Sequence, residues 1–376
     1  MRPHILHLHS SFSLGGKEAR AVRLMNAFGD KARHTIVSGV PDQIGARESI
    51  ATGISYEIAQ APPPLTGRPS VARYEALAKY MRRFDLVLTY NWGAIDGVIA
   101  RRVFGKDVPP LVHHEDGFNA DEARGLKRER NIYRRLALPA ATALVVPSQT
   151  LEAVALKIWK QPAARIHRIP NGIPTVAYAV KPSPKAIPGL KKKPGEIVVG
   201  TLAGLRAVKD LPALVRAVGG VSARVKLVIV GEGPEEATIR QAAAAMGITN
   251  QLVMPGFMAE PHRYIGLFDI FALSSMSEQF PIAVVEAMAA GLPIASFPVG
   301  DVPAMVDPEN ANYITTHSDA VRLRDVLEIL ARHPEERTRV GAANQVRARA
   351  LYDEAVMIAA YARLYGEAIG EPGILG

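Results

Sequence analysis

The feature that most constrains this 376-residue chain is an alternation of short apolar runs with amphipathic stretches that stops once and then starts again. Ile5 to Leu8, Thr35 to Ser38, Asp85 to Tyr90, Pro110 to His113 and Ala143 to Pro147 read as strands. Glu18 to Phe28, Ala94 to Val103 and the stretch after Ser148 read as helices, with Ser148 near a cap. Strands that alternate with helices predict a parallel sheet covered on both faces. Between Pro170 and Glu196 the alternation fails, and Pro174, Pro182, Pro184, Pro188 and Pro194 interleave with Lys191, Lys192 and Lys193. That composition reads as a linker. Alternation resumes with strands at Ile197 to Thr201, Lys226 to Val230, Gln251 to Met254, Ile270 to Leu273 and Pro293 to Ser296. The expectation is an α/β chain of two domains, 1–170 and 196–352, joined by a linker at 171–195, with a helical tail at 353–376. The length also exceeds what one core usually organises.

With 48% hydrophobic and 22% charged residues, the composition is that of a globular protein folded throughout. Cysteine is absent, which excludes disulfides, thiolate nucleophiles and cysteine-ligated zinc and suits a reducing compartment. The apolar residues that follow Met1 are too few for a signal-peptide core, and the longest apolar runs are broken by Glu286, Pro139 and Pro147. A cytoplasmic protein that does not span a membrane is expected. The formal charge of +9 favours anionic partners, but the basic residues are scattered and no zinc-finger, bZIP or RRM signature is present, so nucleic acid is not expected as a partner.

Ligands of open parallel sheets bind beyond the carboxyl ends of the strands, so chemistry is sought in the loops there. The richest such loop is Ser277-Glu278-Gln279-Phe280-Pro281, leading into Ile282-Ala283-Val284-Val285-Glu286-Ala287-Met288-Ala289-Ala290-Gly291. Pro281 suits a first helical turn and Gly291 the helix end, which puts Glu278 in the loop and Glu286 on the helix, eight positions on. The amides at such a helix start, around Phe280, Pro281 and Ile282, attract phosphate oxygens, and the carboxylates accept hydrogen bonds from hydroxyl groups. Alternatively, the two glutamates only solvate a loop and a helix.

This segment resembles the EX7E signature of the family 4 retaining glycosyltransferases, including the Glu-Ala-Met-Ala-Ala-Gly-Leu-Pro run that follows it. Val230-Gly231-Glu232-Gly233-Pro234, Pro255-Gly256-Phe257, Pro147-Ser148, Ile169-Pro170-Asn171-Gly172 and the Gly15-Gly16 pair extend the resemblance over nearly the whole chain. It implies the GT-B fold, two Rossmann-like domains facing across a cleft, with the C-terminal helix returning to the first domain by analogy. It also implies that Glu278 contacts the donor sugar and Glu286 the ribose. Many members carry glycine after the first glutamate, where Gln279 stands here, which puts the donor sugar in question.

The loop Gly204-Leu205-Arg206-Ala207-Val208-Lys209 offers two cations that neutralise a diphosphate leaving group without a metal. The family uses an Arg and a Lys there, but its Arg more commonly lies where this chain has Gly204, so Lys209 carries the role more firmly than Arg206. Both otherwise read as solvated residues opening a helix. In His113-His114-Glu115-Asp116, adjacent histidines diverge on a strand and spacing fixes no third ligand, which argues against zinc. Related enzymes place a histidine at this strand end near the donor sugar, which makes His113 the candidate and His114 its reserve; structural histidines are the alternative. Gly15 and Gly16 allow the backbone close to the donor phosphates or acceptor, and equally just make a turn, while Lys17 and Glu18 beside them are acceptor candidates. Gly231 is grouped with the donor contacts. With Gly233 it resembles a dinucleotide fingerprint, but Glu236 stands at the third glycine position, so NAD is not expected.

The reading is a retaining glycosyltransferase, without metal or cofactor, that uses a nucleoside diphosphate sugar, UDP-sugar favoured over GDP-sugar. The acceptor is expected to be a glycan or lipid-linked sugar of cell-envelope or exopolysaccharide synthesis. The alternative is a GT-B nucleotide-binding or scaffold protein without turnover. The cluster Arg124, Lys127, Arg128, Arg130, Arg134 and Arg135 suggests an anionic membrane surface as a further partner, at the inner face; the alternative is a solvated helix face.

Overall fold

The computed structural model describes residues 2–118, 122 and 125–376. The chain divides into two compact units, one of 1–170 with 356–376 and one of 171–355.

Among its described residues the first unit holds seven parallel strands: β1 (His4–His9), β2 (Arg33–Ser38), β3 (Tyr56–Ile58), β4 (Leu86–Tyr90), β5 (Leu111–His114), β6 (Ala143–Val146) and β7 (Ile166–Arg168). Their order in the sheet is β3-β2-β1-β4-β5-β6-β7. The interleaved helices are α1 (Gly16–Phe28), α2 (Val71–Met81), α3 (Ile95–Phe104), α4 (Arg128–Ala137) and α5 (Gln149–Lys157). β4, β5 and β6 are buried at every position, so none alternates between apolar and polar: β6 is apolar throughout, β4 apolar but for Thr89 and Tyr90, and β5 ends in the enclosed His113 and His114. Ser148 caps α5, its Oγ accepting from the Leu151 amide at 3.0 Å.

The second unit holds β8 (Ile197–Leu202), β9 (Val225–Val230), β10 (Leu252–Gly256), β11 (Ile270–Leu273) and β12 (Ile294–Ser296), in the order β10-β9-β8-β11-β12, all parallel. Its helices are α6 (Leu211–Gly219), α7 (Glu236–Ala245), α8 (Ile282–Ala289), α9 (Val302–Met305), α10 (Ala320–Arg332) and α11 (Pro334–Leu351). The final helix, α12 (Glu354–Ile369), packs Met357, Tyr361, Leu364 and Tyr365 into the first unit's core beside Ile5, Leu24 and Leu88. It joins that unit because its apolar stripe is covered by the first sheet's helical layer.

The stretch 171–195 is not a free linker. Ile173, Tyr178 and Ile187 lie in the second unit's core, and the Lys192 ammonium pairs with Asp269 at 2.7 Å. Proline suppresses regular structure there, while the apolar side chains between the prolines still find a core. The three-residue strands β3 and β7 went unrecognised because each lies at a sheet edge with its residues only half covered or exposed.

Candidate functional site

In each sheet the strand order reverses at one point, between β1 and β4 in the first and between β8 and β11 in the second. Loops leaving the carboxyl ends of two such strands run to opposite sides and open a crevice.

In the second unit these are the loops after β8 and β11, the two that carry Lys209 and Glu278. They are stitched together. The Met276 amide donates to the Val208 carbonyl at 2.8 Å, and the Ser274 hydroxyl to the Lys209 carbonyl at 3.0 Å. Across this seam the Lys209 ammonium donates to Glu278 Oε1 at 2.5 Å, both side chains largely shielded from water. The loop after β9 closes the third side. Leu205 donates its amide to the Glu232 carbonyl at 2.9 Å, and Glu235 donates to Leu205 at 3.0 Å.

Glycine is obligatory in that loop. Gly231 has φ +143°, and a Cβ on it would stand 1.9 Å from the Ala203 carbonyl oxygen. Its role visible here is therefore to let two ligand-facing loops touch. Gly300, with φ +53°, allows the same close approach to the Glu278 carbonyl, which a Cβ would meet at 2.4 Å.

Arg206 is exposed and stands just before the 3-10 turn that ends at Lys209. Its Nε comes within 3.6 Å of the place a Cβ on Gly204 would take. The guanidinium thus folds back over the position at which the family more commonly has its arginine.

Pro281 is the residue before α8 rather than in its first turn, and no side chain caps the helix. Its first amides accordingly have no side-chain partner of the usual capping kind, as a phosphate-binding helix start requires. Phe280 is buried edge-on against Tyr352, ring centroids 5.5 Å apart, and so anchors the loop from beneath. Ile282 begins the helix half-buried. One turn on, Glu286 Oε1 accepts from the Tyr178 hydroxyl at 3.0 Å. That positioning contact escaped the sequence reading because Tyr178 lies in the stretch taken for a linker. Gln279 Oε1 and Ser275 Oγ are buried in the same loop with no hydrogen-bond partner among the described residues, both missed from sequence. Only the departure at Gln279 hinted at it.

In the first unit the corresponding loop follows β1. Gly15 stands before α1 in an extended conformation, Gly16 begins the helix, and a Cβ on Gly15 would lie 2.8 Å from Glu18 Oε2. Glu18 is buried and pairs with Lys17 at 2.5 Å. His113 is wholly enclosed. Its Nδ1 meets the Thr89 hydroxyl at 2.8 Å and its Nε2 lies 3.7 Å from Glu115, which holds the buried Arg134 at 3.1 Å. His114 bonds the Tyr365 hydroxyl at 2.7 Å.

The basic cluster of α4 divides. Arg134 points inward among Trp92, Phe118 and Trp159 and pairs with Glu115 and Glu122, while Arg130 pairs with Glu122 at 2.8 Å. Two buried carboxylates draw these charges into the unit. Lys127, Arg128 and Arg135 remain exposed beside Ile132 and Leu136, and Arg124 lies outside the described residues. Among the described residues no group of three His, Cys, Asp or Glu is placed to hold a metal, and no helix is long and apolar enough to cross a membrane.

Two parallel α/β units, the second with paired charges at its switch point, define a GT-B architecture. Residues 14–176 match the model of Glycosyltransferase Family 4 and residues 182–347 that of Glycosyl transferases group 1, which together span most of the chain. The chain belongs to this glycosyltransferase family.

Among curated relatives, EpsF of Bacillus subtilis, named as a glycosyltransferase, is 28% identical over 169 residues, 43% of this chain and 44% of its own. The GDP-mannose-dependent alpha-(1-6)-phosphatidylinositol monomannoside mannosyltransferase of Mycobacterium tuberculosis is 27% identical over 57% of this chain and 59% of its own. The chain thus spans about half the length of these relatives. Anabaena HepE, crystallised with UDP, superposes with a TM-score of 0.79 at 20% identity, covering 97% of this chain and all of HepE, and it has also been crystallised with UDP-glucose.

Proposed function

We propose that the chain transfers a sugar, with retention of configuration, from a nucleoside diphosphate sugar to a glycan or lipid-linked acceptor of the cell envelope or an exopolysaccharide. The observation that carries this reading is the Lys209–Glu278 pair, 2.5 Å apart, at the second sheet's switch point and next to the start of α8.

An arriving diphosphate offers Lys209 a stronger anion than Glu278 does, and Arg206 lies in the same loop. Once Lys209 turns to phosphate, the Glu278 carboxylate is released to accept from the donor sugar, and the α8 amides hold phosphate oxygens. Glu286, oriented by Tyr178, accepts from the ribose hydroxyls. The bond from the sugar's anomeric carbon to the diphosphate oxygen breaks and the acceptor oxygen bonds to that carbon on the same face. The acceptor proton passes to the departing phosphate, and two cations balance the leaving charge without a metal. In the first unit His113, enclosed by Thr89 and Glu115, braces the carboxyl end of β5.

UDP is favoured as the nucleotide because HepE, which shares the fold, was crystallised with it; the mycobacterial relative's GDP-mannose keeps the base open to test. The exposed Lys127, Arg128 and Arg135 with Ile132 and Leu136 suit peripheral contact with an anionic inner-membrane face from the cytoplasm. Thermal stabilisation by UDP, GDP, ADP and their sugars, with EDTA present, tests the donor site. A shift with one nucleotide is expected. No shift with any of them, in folded protein, refutes the donor reading, and binding without turnover leaves a scaffold.

A further inference from the structure

The first sheet also has an amino end, where β5, β6 and β7 begin, opposite the carboxyl ends that carry His113 and the loop after β1. A surface cavity of about 680 Å³ lies there, lined by Arg101, Arg102 and Arg165 together with Gly105, Ala140 and Thr142. Arg101 and Arg102 stand in the last turn of α3, and Arg165 immediately precedes β7.

Arg101 and Arg165 are held by backbone rather than by carboxylates. Arg101 Nε donates to the Pro109 carbonyl at 3.0 Å and its Nη1 to the Ala140 carbonyl, while Arg165 Nη1 donates to the Pro139 carbonyl at 2.6 Å. Among the described residues no acidic one lines the cavity. The Arg101 guanidinium is held below its ordinary range, first by burial and then by the charge of Arg165. Arg101 and Arg165 thus stand close enough to repel one another, and Arg102 adds a third cation to the lining.

Each guanidinium has five N–H donors, so the carbonyl tethers leave most of them unused and fix the planes of two. Planar forks in fixed orientation match the oxygens of a phosphoryl group, and three positive charges suit a dianion better than a single carboxylate.

We propose that this cavity is a phosphoryl-binding site, in a different unit from the donor loops. The phosphoryl group belongs either to a free anion or to a phospholipid headgroup, and two arms of one experiment separate these sources. Inorganic phosphate is titrated calorimetrically into K209A protein, which lacks the ammonium assigned to the donor diphosphate. R102Q/R165Q in that background is expected to bind at least tenfold more weakly, and R102K/R165K to recover part of the loss. Arg101 is left in place because its bonds tie α3 to the strand starts. If the double variant misfolds, R102Q alone keeps the test open, since among the described residues Arg102 bonds to nothing, and at least a threefold loss is expected.

The second arm is co-sedimentation with phosphatidylglycerol and with phosphatidylcholine vesicles. Phosphate binding lost in the variant identifies a free-anion site. Silence toward phosphate, with phosphatidylglycerol binding lost in the variant, identifies a headgroup site. Equal binding by wild type and variant in both arms, or none by either, overturns the proposal. Each outcome is independent of whether the donor reading stands, because no nucleotide or turnover enters the readout.

Discussion

Lys209 and Glu278 lie 69 positions apart in sequence and 2.5 Å apart in space, contributed by loops that leave the switch point in opposite directions. In the unliganded chain each is the other's partner. A donor that engages both must first separate them, so the two residues have opposite effects on nucleotide affinity.

Lys209→Ala removes a charge-assisted contact worth roughly 1.5–3 kcal/mol and is expected to weaken UDP binding by about ten- to a hundredfold. Glu278→Gln frees the ammonium from a pair worth at most about 1 kcal/mol at this partly shielded site, so UDP binding is expected to hold or tighten up to about fivefold while transfer falls sharply. Calorimetry with UDP and a transfer assay on both variants check this. Weaker UDP binding by Glu278→Gln would contradict the exchange of partners.

Much of this site was legible because its parts follow strands. Glu278, Lys209 and the start of α8 stand where a parallel sheet puts ligands, and the apolar runs that locate those strands are continuous because both faces are covered. What escaped has the opposite character. Tyr178 is held by tertiary packing in a segment whose prolines suppress any periodic signal, and β3 and β7 are edge strands of three residues. The α4 arginines looked alike in sequence, yet Arg134 is buried and Arg128 exposed, because only the fold brings Glu115 under the helix. Spacing gives a helix face its residues and not the partner that faces them.

Tyr178 offers a finer test of the ribose assignment. Its hydroxyl donates to Glu286 Oε1 at 3.0 Å, so Tyr178→Phe leaves the carboxylate in place but less firmly directed. Glu286→Ala is expected to weaken UDP binding by about tenfold or more, and Tyr178→Phe by only about two- to fivefold, because the tyrosine acts on the nucleotide only through the direction of the carboxylate. Binding of 2′-deoxy-UDP separates orientation from packing. If Glu286 serves the ribose, both variants lose less affinity for the deoxynucleotide than for UDP.

Acid should weaken the first unit through its enclosed histidines. His7, His9 and His114 are wholly buried and held well below their ordinary range, chiefly by desolvation, and His34 is lowered to about 4 by burial and then by His4. His9, stacked on Tyr90 at 4.1 Å, has no hydrogen-bond partner among the described residues for either ring nitrogen. These groups are neutral in both states above about pH 6.5, where their stability contribution is complete. As pH falls below that value the unfolded chain binds protons that the folded chain refuses. Stability is therefore lost toward pH 4, by up to about 1.4 kcal/mol per pH unit for each histidine. Urea unfolding followed from pH 7.5 to 4.5 should show this slope, shallower in His34→Gln. A flat profile would mean that the histidines take up protons in the folded state.

Gln279 offers a test of how the proposed donor sugar is selected. It follows Glu278 directly, and its side-chain oxygen is buried without a hydrogen-bond partner among the described residues. An unmatched buried acceptor costs about 1–3 kcal/mol, a penalty that, on the proposed reading, a hydroxyl or acetamido N–H on the donor sugar would relieve and plain UDP would not. Gln279→Gly removes the acceptor and opens space at the same point. The expected result is unchanged affinity for UDP, a five- to fiftyfold loss of kcat/KM for the preferred UDP-sugar, and a narrower gap between that sugar and its competitors. Discrimination follows from the unpaired group left behind when the wrong sugar binds, so removing the acceptor lowers the penalty on every wrong sugar together. A variant that loses activity equally toward all sugars would show that Gln279 shapes the loop rather than reads the donor.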